Sequence, residues 1–239
     1  MKAARGLAGW LLAALVLMAV AARALPAAET RGSVLWYQEQ ESGTGPYPVR
    51  YLVTEDWLRS DDGSDQGDFL LFDRRERRIY SVVREERTIL RIDGQGTPPA
   101  APSGFALETR QEPDNEAPRI GGRAPLRLEL HAGGQLCHTA LVAPGLLDDA
   151  RAAFEELSQA LRVQQGRTLA STPAEFRTPC FLARYLYAGD FYLSQGISLA
   201  DWDEQGRRRQ LVRFETDVNL DDRLFRLPAD YRYEEAGTR

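Results

Sequence analysis

Between residues 49 and 93 the chain runs through short apolar segments at close, regular spacing, each ended by a charged or turn-forming tip. "VRYLVTEDWLR" (49–59) alternates, with Val49, Tyr51, Val53 and Trp57 on one face and Arg50, Thr54 and Asp56 on the other. "DFLLFD" (68–73), "RIYSVV" (78–83) and "TILRID" (88–93) follow, separated by "RRER" and "REER". A period of two means that successive side chains point to opposite faces of a sheet. Connections this short allow only antiparallel neighbours, so the segment predicts a meander. "SVLWYQEQ" (33–40) adds a strand before it, and "PLRLELHAGGQLCHTALVA" (125–143) reads as a hairpin.

Helical periodicity is clear in one place, "PGLLDDARAAFEELSQALRVQQG" (144–166). Leu147, Ala150, Phe154, Leu157 and Leu161 form one apolar stripe, and Asp148 and Asp149 favour the first turn. Beyond it, 180–189, 191–203 and 207–218 read as further strands. Residues 94–119 hold five prolines and little apolar content, which predicts a Pro-rich loop or linker inserted within one sheet. The fold class expected is α+β, mainly antiparallel β, with one helix packed on the sheet.

The N-terminus has the form of a secretory signal peptide: Lys2 and Arg5, an uncharged apolar run from Leu7 to Ala22, then Ala22-Arg23-Ala24. Cleavage after Ala24 places the mature protein in the periplasm, and the absence of a cysteine near that point argues against a lipid anchor. An uncleaved anchor helix is the alternative, with an apolar run somewhat short for one. Residues 30–233 are expected to form a single domain. Removal of Lys2, Arg5 and Arg23 takes the formal charge from −5 to −8 (−5 minus 3). An acidic mature chain argues against nucleic acid as a partner, because phosphate contacts need clustered Lys and Arg. In an oxidising compartment Cys137 and Cys180 are expected to form a disulfide, with two buried thiols as the alternative.

The clearest candidate for chemistry is "RSDDGSDQGD", with Asp61, Asp62, Asp65 and Asp68 within eight positions. The calcium-loop pattern fails, because Asp61 and Asp62 are adjacent, Gly63 comes early and no closing glutamate follows. Asp, Ser and Gly are also the residues that strand connections prefer, so a hairpin tip is the simpler reading. A hydrolase using this cluster is the weakest of three functional hypotheses. His131, Cys137 and His138 match no usual zinc spacing. No nucleophile elbow or Gly-rich phosphate loop is present. No catalytic residue, metal ligand or cofactor is therefore assigned.

With "VRYLVTEDWLRSDDG", "DFLLFDRRERRIYSV" and "DRLFRLPADY" in this order behind a signal peptide, the chain resembles the periplasmic outer-membrane lipoprotein carriers and their uncharacterised envelope relatives. The resemblance implies an open, half-barrel-like antiparallel sheet with helix on its concave face. It implies a groove that binds a hydrophobic ligand, an acyl chain or lipoprotein, lined by Tyr51, Val53 and Trp57, with Arg59 near its mouth. The insert at 94–119 and the cysteine pair depart from that family, so the fold can be shared without lipoprotein transport. The second hypothesis is an envelope module whose apolar face meets a protein partner.

Overall fold

The computed structural model describes residues 29–236 apart from Gly121. The segment read as a signal peptide lies outside the described residues. Twelve strands form one open sheet: β1 (Glu29–Gln40), β2 (Tyr47–Thr54), β3 (Trp57–Asp61), β4 (Phe69–Asp73), β5 (Arg78–Val83), β6 (Thr88–Asp93), β7 (Leu107–Pro113), β8 (Leu126–Ala132), β9 (Gln135–Ala143), β10 (Ile197–Asp203), β11 (Arg208–Asp221) and β12 (Arg232–Glu235). Their order is β12-β6-β5-β4-β3-β2-β1-β11-β10-β9-β8-β7. The meander is β1 to β6, joined by consecutive antiparallel pairings. The turns after β4 and β5 end on Arg77 and Arg87 in the left-handed region, a conformation that short hairpins demand. The long strands β1 and β11 join the two arms of the sheet.

The reading of 49–59 as one alternating strand is corrected. Glu55 and Asp56 form a turn between β2 and β3. Tyr51 and Val53 therefore face one side of the sheet and Trp57 the other. The segment 94–119 is also not loop throughout. Residues 107–113 pair with β8 in unbroken register as an edge strand. Its side chains Glu108, Arg110 and Glu112 are exposed, and it ends on Pro113. Charge and proline are what an unpaired edge needs to discourage pairing with other chains, and they also erase the apolar period that would reveal a strand.

Helix α1 (Asp148–Thr168) lies across one face of the sheet. Its buried stripe is Ala150, Ala153, Phe154, Leu157, Ala160 and Val163. Three alanines let the backbone approach closely. At Gly94 an added Cβ would lie 2.4 Å from the Ala160 Cβ and 2.6 Å from the Arg77 carbonyl oxygen. Leu35, Tyr37, Val53, Leu58, Phe72 and Ile79 meet the helix from the sheet. A second cluster, Leu52, Phe69, Leu71, Val82 and Ile89, lies on the other face under Leu220 and Phe225. Both faces of the meander are thus covered, as its doubly apolar strands require.

The strand expected over 180–189 is a helical segment instead. Short helix α2 (Pro179–Leu182) runs into a π-helical turn, Ala183–Tyr187. Thr178 accepts a hydrogen bond from the Phe181 amide, and Pro179 stands at the first helical position, both helix-start signals. Cys180, Ala183, Arg184 and Leu186 are buried at helical spacing. The strand expected over 191–203 begins only at Ile197. The Cys137–Cys180 disulfide ties α2 to β9.

Candidate functional site

Tyr51 and Val53, two of the expected groove residues, sit under α1. Tyr51 stacks edge-on against Phe154 with ring centroids 4.8 Å apart, and Tyr37 packs edge-on against Tyr51 at 5.6 Å. Phe154 therefore fills the space over Tyr51. Trp57 and Arg59 lie on the opposite face. Trp57 packs with the second apolar cluster, and Arg59 is 1% exposed. The four residues do not share one groove.

The aspartates separate equally clearly. Asp61 is buried, and its oxygens accept from Arg50 Nε at 2.8 Å, Arg59 Nε at 2.6 Å and the Gly63 amide at 2.9 Å. Burial opposes its ionisation, but the two guanidiniums outweigh that and hold its carboxyl below the usual range. Asp62 accepts from the Ser64 amide, Asp65 from Arg50, and Asp68 from the Arg84 amide. Each carboxylate closes or braces the β3–β4 hairpin tip. Among the described residues no group of three or more His, Cys, Asp or Glu side chains is placed to hold a metal ion.

What sequence reasoning missed is a cleft of about 250 Å³ between α1 and the segment that follows α2. Phe154, Leu157 and Leu161 of α1 form one wall, and Tyr185, Tyr192 and Leu193 form another. Arg162 of α1 holds the far wall in place, donating to the Leu186 and Tyr187 carbonyls and to Asp190. The two carbonyls are the last of a helical turn, where a cation is favoured.

The polar end of the cleft is a buried charge network. Asp201, 2% exposed, accepts from Arg209 Nε at 2.9 Å and Ser198 Oγ at 2.7 Å, and His138 Nε2 lies 3.3 Å away. Arg209 also donates to the Tyr192 hydroxyl at 2.8 Å and lies 4.9 Å over the Tyr37 ring. Burial works against the charge on Asp201, but Arg209 and the hydrogen bonds from His138 and Ser198 outweigh it, so its carboxyl is held well below the ordinary range. Burial pushes the His138 imidazole down, against the pull of Asp201, so it is neutral at pH 7. Nearby, Arg184 pairs with Asp203 and Glu204. The arginines of the cleft are Arg162, Arg184, Arg207 and Arg209. They stand against Asp190, Asp201, Asp203 and Glu204. The site is internally neutralised.

The order of the network limits its chemistry. Ser198 donates to the carboxylate, and the carboxylate stands between serine and histidine. A serine nucleophile needs the histidine beside its hydroxyl, so this trio is a structural clamp. No signal in the sequence joined Ser198, Asp201 and Arg209 to His138. The four meet only because β10 pairs with both β9 and β11.

No family model matches this chain, and no curated protein matches it. Among solved structures, an uncharacterised conserved protein from Thermus thermophilus is similar with a TM-score of 0.44 and 11% identity, over 86% of this chain and 91% of that one. PNGF-II is similar with a TM-score of 0.41 and 8% identity, over 86% of this chain and 31% of PNGF-II. Neither likeness carries an argument about function. The fold and site define a protein built on an open, mostly antiparallel sheet with a helix against one face and, beside that helix, a cleft with an apolar wall and a charged end. Among the described residues no helix is long and apolar enough to cross a membrane.

Proposed function

We propose that this is a non-enzymatic periplasmic binding protein that holds a hydrophobic group, an acyl chain or the lipid moiety of a lipoprotein, in the cleft beside α1. The observation that carries the reading is the pairing of an apolar wall with a charge network that is already neutralised. The exposed Leu161 and Tyr185 give a ligand apolar surface to cover above the buried Leu157 and Leu193, while the arginines at the polar end are occupied by their own acids. A neutral, apolar group loses least water on entering such a site. At about 250 Å³ the cleft takes one chain segment, below the range of whole drug-sized ligands. On this reading the sheet curves as a half-barrel and α1 fills its concave side, with the cleft as the space that Phe154 leaves. Tyr51 contributes at its inner edge, while Val53, Trp57 and Arg59 support the sheet.

Leu161 is 43% exposed, so Leu161→Glu changes the wall with little cost in packing. Binding of a fluorescent fatty acid is expected to weaken at least tenfold in that variant, with the thermal midpoint unchanged. Equal binding by the variant and the unaltered chain would exclude this cleft. The alternative reading is an envelope interaction module. It is favoured by the exposed Leu161 and Tyr185 at the cleft rim, which would meet an apolar side chain of a partner protein.

A further inference from the structure

The second apolar face of the meander is covered by the chain's own end. Asp221 caps a 3-10 turn, Asp222–Phe225, by accepting from the Arg223 amide. The chain then crosses the sheet through 226–228, turns at Ala229 and Asp230, and reaches β12. Leu224, Phe225, Leu227 and Tyr231 press on Leu52, Phe69, Leu71, Val82 and Ile89. Phe225 is 6% exposed and is the deepest of these anchors beyond the turn's start.

This strap is held unevenly. Its start is gripped by Arg59, whose Nη1 donates to the Leu224 carbonyl at 2.7 Å while its guanidinium lies 4.0 Å over the Phe69 ring. The Nη2 of the same buried guanidinium has no hydrogen-bond partner. The strap's end is held lightly. β12 has four residues, all exposed, and makes the one parallel pairing among the described strands, against β6 at the sheet edge. Its ion pairs, Arg87–Asp230 and Arg91–Glu235, are exposed, where such pairs contribute little. Arg87 also lies over the Tyr231 ring at 5.6 Å. The covered surface therefore has the parts of a peptide site: an apolar floor, a buried cation that reads a backbone carbonyl, a strand edge, and arginines along that edge.

We propose that this groove is a peptide-binding site occupied in cis by residues 222–235. From a partner protein it takes an extended segment of the same chemistry: two adjacent apolar anchors, then a strand that adds parallel to β6 with acidic side chains toward Arg87 and Arg91. Charge complementarity sets the occupant. The strap supplies Asp230 and Glu235 to a strand edge that supplies Arg87 and Arg91. A tethered strap acts at an effective concentration on the order of millimolar, so it masks the groove until a better ligand or a loosened strap exposes it.

The test uses the full chain and a fluorescein-labelled peptide of residues 219–236, read by anisotropy. The unaltered chain is expected to bind weakly. Phe225→Ala, which removes the strap's deepest anchor, is expected to bind the peptide at least tenfold more tightly. Adding Arg87→Glu and Arg91→Glu to that variant is expected to reverse the gain. No gain in the Phe225→Ala variant, with its circular dichroism and disulfide intact, would overturn the proposal, as would a gain indifferent to the two arginines. Hydrogen exchange on the unaltered chain is independent of that variant's folding. The amides of 232–235 are expected to exchange at least a hundredfold faster than those of β3 to β5. Exchange at the same rate as the core would mean that the strap opens only with global unfolding, and the proposal would fail.

Discussion

Asp201 offers the sharpest test of what holds β9, β10 and β11 together around the buried charge network. Asp201→Asn keeps the shape of the side chain and removes its charge. Arg209 would then be a buried cation without its carboxylate, beside the rings of Tyr37 and Phe154. Removing one member of a buried ion pair costs about 3–5 kcal/mol, because the remaining charge stays desolvated. Against a total stability of about 5–15 kcal/mol this is a large fraction. With a urea dependence of about 2–3 kcal/mol per molar, the midpoint is expected to fall by about 1–2.5 M. The double variant Asp201→Asn/Arg209→Met removes both charges and gives Tyr37 and Phe154 a flexible apolar neighbour. It is expected to recover about 2 kcal/mol or more of the single variant's loss, which a double-mutant cycle measures as coupling. Urea unfolding followed by tryptophan fluorescence supplies each value. A loss below about 1 kcal/mol for Asp201→Asn, or strictly additive losses, would refute the claim that the pair acts as one buried unit.

Three further outcomes follow from the geometry. The His138 pKa is lowered from its ordinary 6.5, so the unfolded chain binds the proton first. Its contribution to stability is complete above pH 6.5 and is lost as pH falls below it, with a slope of at most about 1.4 kcal/mol per pH unit for one proton. His138→Gln should flatten urea midpoints between pH 6.5 and 5, and parallel profiles for the two proteins would contradict this. At the hairpin tip, Asp61→Asn should cost about 3–5 kcal/mol, since it strips Arg59 of its buried partner, whereas the half-exposed Asp65→Asn should stay within about 0.5 kcal/mol. Equal effects of the two in thermal unfolding would show that the tip is not built as described. Gly94→Ala should destabilise by about 1–3 kcal/mol, because the new methyl meets Ala160 and the Arg77 carbonyl; a neutral result would mean that α1 does not approach β6 this closely.

The parts of this fold that were legible in the sequence are those fixed by local period and local turn chemistry. The strands of 68–93 are short apolar runs between charged tips, and α1 carries a stripe at helical spacing, so neighbours along the chain suffice to define them. Elements whose reason is tertiary were hidden. β7 has no apolar period because it is a charged edge, and its only evidence is the partner strand β8. In 180–187 the apolar spacing suits either period, and the helix was decided by Thr178 and Pro179 just outside the apolar run. The two-residue break at Glu55–Asp56 moved Trp57 and Arg59 to the other face, as any change of strand register must. The same logic explains the site. Arginine and aspartate at 201–209 look like a solvated turn when read along the chain. They form a buried network because β10 lies between β9 and β11, which brings His138 to Asp201 across 63 positions and sets Arg209 against Tyr37 and Tyr192. Burial thus turns charges that read as surface residues into a constraint on how β9, β10 and β11 pack together, and sets Arg209 against Tyr37 of β1 where the two arms meet.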